Sequence, residues 1–353
     1  MSSDNDNENE SMEYGSLGLA LADRKLDVAD VDIKWLARLI VHLKEASNGL
    51  SNTQGRHLVD LYYQFQELRK STDNQVRSLK ENGEPSYIID FFAAEISGVE
   101  QTLQKVLDTW TDTTVPGRWA KSQYGIGPVL TAGLLANLDI RKAPTAANFM
   151  RFCGLDPTVE WLGKEKSKEL VSDVVKGELT TDHIAEIALR THRKFDVILS
   201  HSLTEREQLS TDKLTKFLSM PPYSQKMKML LWKVGDSFTK FHNNPKCYYG
   251  HLYAQRKALE VQRNESGQYA GIAAETLAKK NIADKDTREK YLSGKLPDGR
   301  IDLRARNFAE RIFINHLHWV MYEDYHGVSP PKPYAIEHLG HAEILEPPNW
   351  PMA

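Results

Sequence analysis

Apolar residues recur along most of the chain at the three- and four-residue spacing of amphipathic helices. The first such segment begins at about Val31 and ends at Asn48-Gly49, and its apolar face carries Leu36, Leu39, Ile40 and Leu43. Alternating patterns typical of strands are scarce, and no strand–helix–strand alternation is found. The sequence therefore predicts a mainly α-helical fold.

Two longer segments each carry an apolar seam at the same spacing. The first seam comprises Leu58, Leu61, Phe65, Leu68, Thr72 and Leu79, and the second comprises Phe92, Ile96, Val99, Leu103, Val106 and Trp110. Residues 81–85 must form a turn, because they contain Gly83 and Pro85. Two helices of about 25 residues, roughly 37 Å long, would pair as an antiparallel hairpin. The seams also resemble a short coiled coil between subunits, so we expect a homo-oligomer through residues 56–111.

Helical patterns continue through the second half of the chain. Strong helices are predicted from Gln225 to Phe241, from Tyr248 to Arg263 with a possible extension to Lys280, and from Arg300 to Tyr325. The predicted organisation is an acidic, largely disordered segment (1–30), a helical hairpin or coiled coil (31–115), a helix-hairpin-helix (116–165), a basic helical region (166–326) and a proline-rich tail (327–353).

Charge is distributed unevenly. The formal net charge is −3, but residues 1–30 carry −6 and residues 190–263 carry fourteen Lys or Arg against six acids. A basic central region favours a nucleic-acid partner. The alternative is an ordinary solvated helix surface.

The cysteines and the apolar runs exclude several classes of protein. Cys153 and Cys247 are far apart and form no CxxC, so a disulfide framework or a cysteine zinc site is not expected. The N-terminus lacks the features of a secretory signal, and no apolar run approaches the ~18 residues that span a bilayer. We expect a cytoplasmic protein associated with nucleic acid, without membrane contact and without a cofactor.

The most informative local sequence is a glycine-containing turn, Tyr124-Gly125-Ile126-Gly127-Pro128-Val129, between two apolar segments. Glycines allow positive φ and a close approach of the backbone, and proline suits the first turn of a helix. The free N–H groups at a helix N-terminus attract anions. This pattern predicts phosphate binding at Gly125, Ile126, Gly127, Pro128 and Val129, helped by Arg118 and Lys121. The alternative is a tight turn that only packs two helices.

A row of lysines offers a second candidate site. Lys226, Lys233 and Lys240 lie seven residues apart and form one stripe on the predicted 225–241 helix. Arg256 and Lys257 would extend the stripe on the next helix. Such cations supply sequence-independent affinity for a phosphate backbone. A solvated helix face explains the same pattern equally well.

Histidines and nucleophiles give weaker indications. His316 and His318 point about 200° apart on one helix and cannot share an ion, whereas His338 and His341 form an HxxH without a third ligand. We predict no metal site. No catalytic constellation is evident, and Ser167 and Ser172 are only weak candidates for a nucleophile.

Three parts of this sequence resemble one transposase domain. They are the glycine turn, the following LTAGLLANLDI run, and the later residues Phe149, Phe152, Gly154, Leu155 and Pro157. This domain is the C-terminal helix-hairpin-helix domain of the bridge-RNA-guided, DEDD-type insertion-sequence transposases. The specific similarity covers about 35 residues. It implies a helical domain of a mobile genetic element, which handles DNA during recombination.

Two departures limit what this resemblance implies. The family's RNase H-like half, with its four acidic metal ligands, has no counterpart in residues 1–115. The family's catalytic serine would fall within residues 159–163, which contain no serine. The leading hypothesis is therefore a nucleic-acid-binding protein that grips the phosphate backbone without cutting it. The alternatives are a recombinase that uses a serine together with a partner, and a structural assembly protein.

Overall fold

The computed structural model describes residues 42–331 and 345–352. These residues form fourteen α-helices, one short 3-10 helix and no strand beyond a single bridge between Leu203 and Leu209. The mainly α-helical prediction is confirmed. The helix predicted from Val31 lies mostly outside the described residues, although 42–48 are helical. The chain divides into two compact units, Met1–Thr113 and Thr114–Ala353.

The described part of the first unit is a helical hairpin of α1 (Asn52–Glu81) and α2 (Tyr87–Asp112). A capping box starts α1: Ser51 Oγ accepts a hydrogen bond from the Gln54 amide, and Gln54 Oε1 accepts one from the Ser51 amide. These bonds satisfy two backbone groups that the first turn leaves unpaired. The two helices pack directly against each other.

Packing inside this hairpin depends on a glycine. Gly55 leaves room for the buried Trp110 indole, whose Nε1 donates a hydrogen bond to Leu50 O at 3.0 Å. Further along the interface, Arg69 Nε lies 2.5 Å from Glu100, which is also buried. Desolvation raises the pKa of Glu100, but hydrogen bonds from Arg69 and Tyr62 outweigh it and the net shift is downward.

The buried face differs from the predicted seams. The interior of α1 carries Gly55, Val59, Tyr62 and Thr72, and the interior of α2 carries Glu100, Leu103, Leu107, Trp110 and Thr111. Of the predicted seam residues, Thr72, Leu103 and Trp110 are buried, whereas Leu61, Leu68, Phe92 and Val99 are exposed. The prediction was therefore correct only in part, because both helices carry a second apolar stripe and the packing of Trp110 on Gly55 decides which residues are buried.

The described part of the second unit contains twelve α-helices. They are α3 (Val115–Ser122), α4 (Pro128–Asn137), α5 (Ala146–Phe152), α6 (Gly163–Val174), α7 (Thr181–Thr191), α8 (Phe195–Ser202), α9 (Thr211–Ser219), α10 (Gln225–Lys240), α11 (Tyr248–Glu265), α12 (Ala270–Lys279), α13 (Lys285–Leu292) and α14 (Asp298–His326). The 3-10 helix, Ile140–Lys142, lies between α4 and α5.

Helix α14 is the centre of this unit. It packs against α3, α5, α10, α11 and the 3-10 helix. Its buried apolar side chains are Ile301, Ala305, Ala309, Phe313, Ile314, Leu317, Val320 and Met321. Trp119 of α3 is fully buried and stacks on Phe313, with ring centroids 5.9 Å apart.

Two smaller apolar clusters lie beside the main core. Helices α6–α9 enclose one cluster, built from Val171, Val174, Leu179, Ile184, Ile187, Ala188, Ile198, Leu214 and Leu218. Tyr269, Ala273, Tyr291, Leu296 and Ile301 form the other, around α12, α13 and the start of α14. Residues 163–219 therefore build a local core of their own.

Residues 345–352 pack onto the main core. Pro348 O accepts a hydrogen bond from Trp119 Nε1 at 2.9 Å, and Trp350 Nε1 donates one to Glu323 at 2.6 Å. Leu345 O lies 2.8 Å from His316 Nε2. This segment thus ties α3 to α14. Among the helices that the structure describes, none is both long and apolar enough to cross a membrane.

Two glycine substitutions should have opposite effects on the α1–α2 hairpin. A Cβ at Gly55 would lie 2.5 Å from the Trp110 ring, so we expect Gly55→Ala to destabilise the hairpin by about 1–3 kcal/mol. Gly98 has no neighbouring atom within 4 Å of its Cβ position, so Gly98→Ala should stabilise it by about 0.5–1 kcal/mol. Urea unfolding followed by circular dichroism measures both. Equal effects would contradict the packing described for Trp110.

Candidate functional site

The glycine turn connects α3 to α4. Its backbone is held by a hydrogen bond from the Ile126 amide to Gln123 O at 3.0 Å, and α4 begins with the bond from the Thr131 amide to Gly127 O, also 3.0 Å. Gly125 has φ +94°, which a residue with a side chain rarely adopts. Gly127 has φ −91° and ψ 176°, an extended conformation that does not use the positive φ that glycine allows. Only Gly125 needs to be glycine for its backbone conformation.

One side of the turn packs on helix α10. Ser237 Oγ donates a hydrogen bond to Gly125 O at 2.6 Å, and the Phe241 ring meets Tyr124 edge-on with centroids 5.2 Å apart. A Cβ on Gly125 would lie 2.8 Å from Ser237 Oγ. The turn is therefore fixed in place by α10, as the helix-packing alternative requires.

The other side of the turn is open. No atom lies within 4 Å of the position that a Gly127 Cβ would occupy. Pro128 has no N–H, and α4 gives its first backbone hydrogen bond at Thr131, so the amides of Val129 and Leu130 have no acceptor within the helix. Ile126 and Val129 have buried side chains, and so they can offer a ligand only their backbone.

The predicted cations near the turn lie on α3. Arg118 is exposed and Lys121 is half-buried, on the helix that leads into Gly125. On α10, Lys226 and Lys233 are half-buried and Lys240 is exposed. Because Ser237 and Phe241 touch the turn, the structure brings the Lys240 end of this row close to the turn.

Several of the predicted cations form ion pairs within the protein. Lys240 lies 2.7 Å from Asp236, one turn earlier on α10. On α11, Arg256 lies 2.6 Å from Glu260, and Lys257 lies 2.9 Å from Asp302. These pairs reduce the net positive charge of this surface, which sequence spacing alone did not reveal.

The weak nucleophile candidates lie on α6. Ser167 is fully buried, and its hydroxyl donates a hydrogen bond to Gly163 O at 2.6 Å. Ser172 is exposed. In residues 159–163, the exposed Trp161 donates a hydrogen bond from Nε1 to Ser219 O at 2.8 Å. A hydroxyl buried as deeply as that of Ser167 is not placed to attack a phosphodiester.

Sequence patterns missed a buried polar cluster between α10 and α14. Glu310 is 2% exposed and approaches α10 at Gly235, where a Cβ would meet its Oε1. Burial raises the pKa of Glu310 to about 7, although Lys228, Arg306 and Arg311 oppose the shift. Lys228 is itself partly buried and donates a hydrogen bond to Gly154 O at 2.8 Å.

The two buried histidines of α14, His316 and His318, have structural roles. His316 lies between the Tyr249 hydroxyl and Leu345 O, each 2.8 Å away, and burial lowers the pKa of its ring to about 4. His318 bonds to Ala143 O on another side of the helix. His338 and His341 lie outside the described residues. In the described parts of the chain, no group of three His, Cys, Asp or Glu side chains could hold a metal ion.

Comparison with known families identifies the region that contains the turn. Residues 118–173 match the model of the transposase IS116/IS110/IS902 family. The match runs from α3 through the glycine turn, α4 and α5 to the last turn of α6, so this region is transposase-related. Neither the curated proteins nor the solved structures contain a match to the chain.

The two glycines of the turn should differ sharply in tolerance. Gly125→Ala places a side chain at positive φ against Ser237, so we expect a loss of about 1–3 kcal/mol in the free energy of unfolding. Gly127→Ala should change it by less than about 0.5 kcal/mol, because the Cβ points into open space. Chemical denaturation measures both changes. A large loss in Gly127→Ala would show that the turn is more closed than described.

Proposed function

We propose that the protein binds nucleic acid, most readily DNA, through the α3–α4 turn acting as a helix-hairpin-helix. The main support for this proposal is that an open, rigidly held helix N-terminus lies within the transposase-related region. Backbone amides at such an N-terminus bind phosphate without reading base sequence.

Each side of the turn has a distinct role in this proposal. Ser237 and Phe241 hold the Gly125 side in place, so the backbone does not have to reorganise when a ligand arrives. The Gly127 side approaches the phosphate and presents the amides of Val129 and Leu130. Arg118 and Lys121 of α3 and Lys240 at the near end of α10 place positive charge beside this contact. Lys226 and Lys233 continue the positive charge along α10, and Arg256 and Lys257 continue it on α11.

The proposed activity is binding rather than strand cleavage. Ser167 is buried, and residues 159–163 provide no hydroxyl. The resemblance to bridge-RNA-guided transposases leaves RNA as a second possible nucleic-acid ligand. A recombinase that uses the exposed Ser172 with a partner is the alternative, and formation of a covalent protein–DNA adduct would favour it.

Replacing Gly127 should weaken binding without unfolding the protein. We expect Gly127→Ala to raise the Kd for a duplex of arbitrary sequence about tenfold, because its Cβ occupies the space that a phosphate would enter. Lys233→Gln should make the slope of log K against log salt shallower by about one. An electrophoretic shift assay over a salt series measures both effects.

Lys285→Gln provides a matched control, because Lys285 is an exposed lysine at the start of α13, a helix remote in sequence from the turn. This variant should bind like the wild type. The proposal fails if the wild type shows no shift at low salt, or if Gly127→Ala and Lys285→Gln bind equally well.

We further propose that the α1–α2 hairpin makes the protein self-associate. Each helix leaves one apolar stripe exposed: Leu61 and Leu68 on α1, and Ile88, Phe92 and Val99 on α2. Leu68 is 49% exposed and Phe92 55% exposed. Stripes of this kind suit the interface of a coiled coil between two copies.

Introducing charge into both stripes should dissociate the oligomer. Leu68→Glu combined with Phe92→Glu changes only exposed positions, so we expect a monomer with unchanged helicity. Asn74→Asp, at an exposed polar position of α1 that lies about 120° around the helix from Leu68, is the control and should keep the wild-type assembly. Sedimentation velocity separates the two. A monomeric wild-type protein would refute the proposed association.

A further inference from the structure

Arginines concentrate on one face shared by α11 and α14. Arg256 and Arg263 are seven residues apart on α11, and Arg304 and Arg311 are seven residues apart on α14. The two helices pack against each other. Seven residues are about two helical turns, so each pair lies on one side of its helix, and all four side chains can gather at this interface.

A single buried carboxylate forms ion pairs with three of these guanidinium groups. Glu260 is 0% exposed and lies 2.6 Å from Arg256, 2.7 Å from Arg304 and 3.7 Å from Arg263. The Tyr269 hydroxyl also donates a hydrogen bond to it. One negative charge among three positive charges leaves the cluster with an excess of positive charge.

Arg311 increases this excess and has no partner of its own. Among the residues that the structure describes, it makes no hydrogen bond and no ion pair, and its Nε is buried. Burial lowers the pKa of Arg311, and Arg256 lowers it further. A partly desolvated charge without a partner is costly to the folded protein and calls for an explanation.

Two nearby carboxyl groups, Glu310 and Asp156, act on Arg311, but they do not outweigh the effect of burial on its pKa. Glu310 is the neighbouring carboxyl on α14, but burial favours its neutral form. Arg256 Nε is also buried without an acceptor. One turn beyond Arg311, the amide oxygen of Asn315 is buried without a donor, and rotation of the amide would present its N–H₂ group instead.

We propose that Arg311, Arg256 and Arg304 bind a phosphate group at the interface of α11 and α14. Guanidinium groups match the oxygens of phosphate with paired hydrogen bonds, and a doubly charged anion would balance the excess of positive charge. The Arg304 and Arg263 side chains are 40% and 36% exposed, so the cluster is open to solvent.

The phosphate has two possible sources, free phosphate or a nucleic-acid backbone. The electrostatic influence of Asp156, in the transposase-related region, extends to Arg311. The location of Asp156 in this region favours the backbone, even though its own carboxylate repels a phosphate, and to that extent the assignment rests on the proposed function. It would give the protein a second phosphate contact besides the turn at Gly127.

The test is thermal unfolding with and without inorganic phosphate, at matched ionic strength in chloride. At ten times Kd, we expect phosphate to raise the Tm of the wild type by about 3 °C. Arg311→Met should abolish this rise, and its own Tm without phosphate should equal or exceed that of the wild type, because a desolvated charge is removed. Arg311→Lys keeps the charge without the paired donors and should retain only a fraction of the rise.

Arg288→Met is the matched control. Arg288 is exposed on α13 and lines a surface cavity together with Lys279 and Lys280, so it belongs to a second group of cations on the surface. This variant should keep the full rise in Tm. A rise that survives in Arg311→Met, or that is lost in Arg288→Met instead, overturns the proposal.

A short DNA duplex, used as the second ligand, distinguishes the source. Stabilisation by the duplex that is lost in Arg311→Met supports the backbone as the ligand. If phosphate stabilises the wild type and the duplex does not bind, the site takes free phosphate and the proposed function fails. If the duplex binds Arg311→Met and the wild type equally and phosphate shifts neither, the arginine site is refuted and the proposed function stands.

Discussion

The second unit depends on the burial of one long helix. Helix α14 contacts α3, α5, α10, α11 and the 3-10 helix, and small residues such as Ala305 and Ala309 let its neighbours come close. Gly235 of α10 likewise lets α10 and α14 approach closely, so that Glu310 of α14 lies against α10. Three elements of the transposase-related region, α3, the 3-10 helix and α5, are therefore positioned by this one surface, and α4 is positioned indirectly through α3 and α10. A change in the rotation of α14 would move the glycine turn and the arginine cluster together.

Much of the fold could be predicted from the sequence, because helical periodicity is a local signal. The helices at 225–240 and 298–326 and the turn at Gly125 follow from spacing and from glycine and proline placement. The sequence did not reveal which apolar residues of α1 and α2 are buried, since this depends on the packing of Trp110 on Gly55. The ion pairs of Lys257 and Arg304 were also hidden, because their partners lie 45 and 44 residues away in the chain.

The candidate site combines a structural role with a proposed binding role. Gly125 is needed to pack the turn on α10, whereas Gly127 is not needed for packing at all. Sequence reasoning treated the two glycines as equivalent because the same residue type can serve either purpose. The structure separates them, and this separation makes it possible to perturb binding without perturbing the fold.

The hydrogen bond from Trp119 to Pro348 spans 229 residues of chain. The transposase-related region starts at residue 118, within α3. Trp119 of this helix is therefore bonded to a segment that comes much later in the chain. During synthesis, residues 118–173 would leave the ribosome long before this acceptor and before α14. We therefore expect that residues 118–173 depend on the rest of the second unit for their fold. The contacts that hold these residues in place join parts of the chain that are far apart in sequence, and such contacts form slowly.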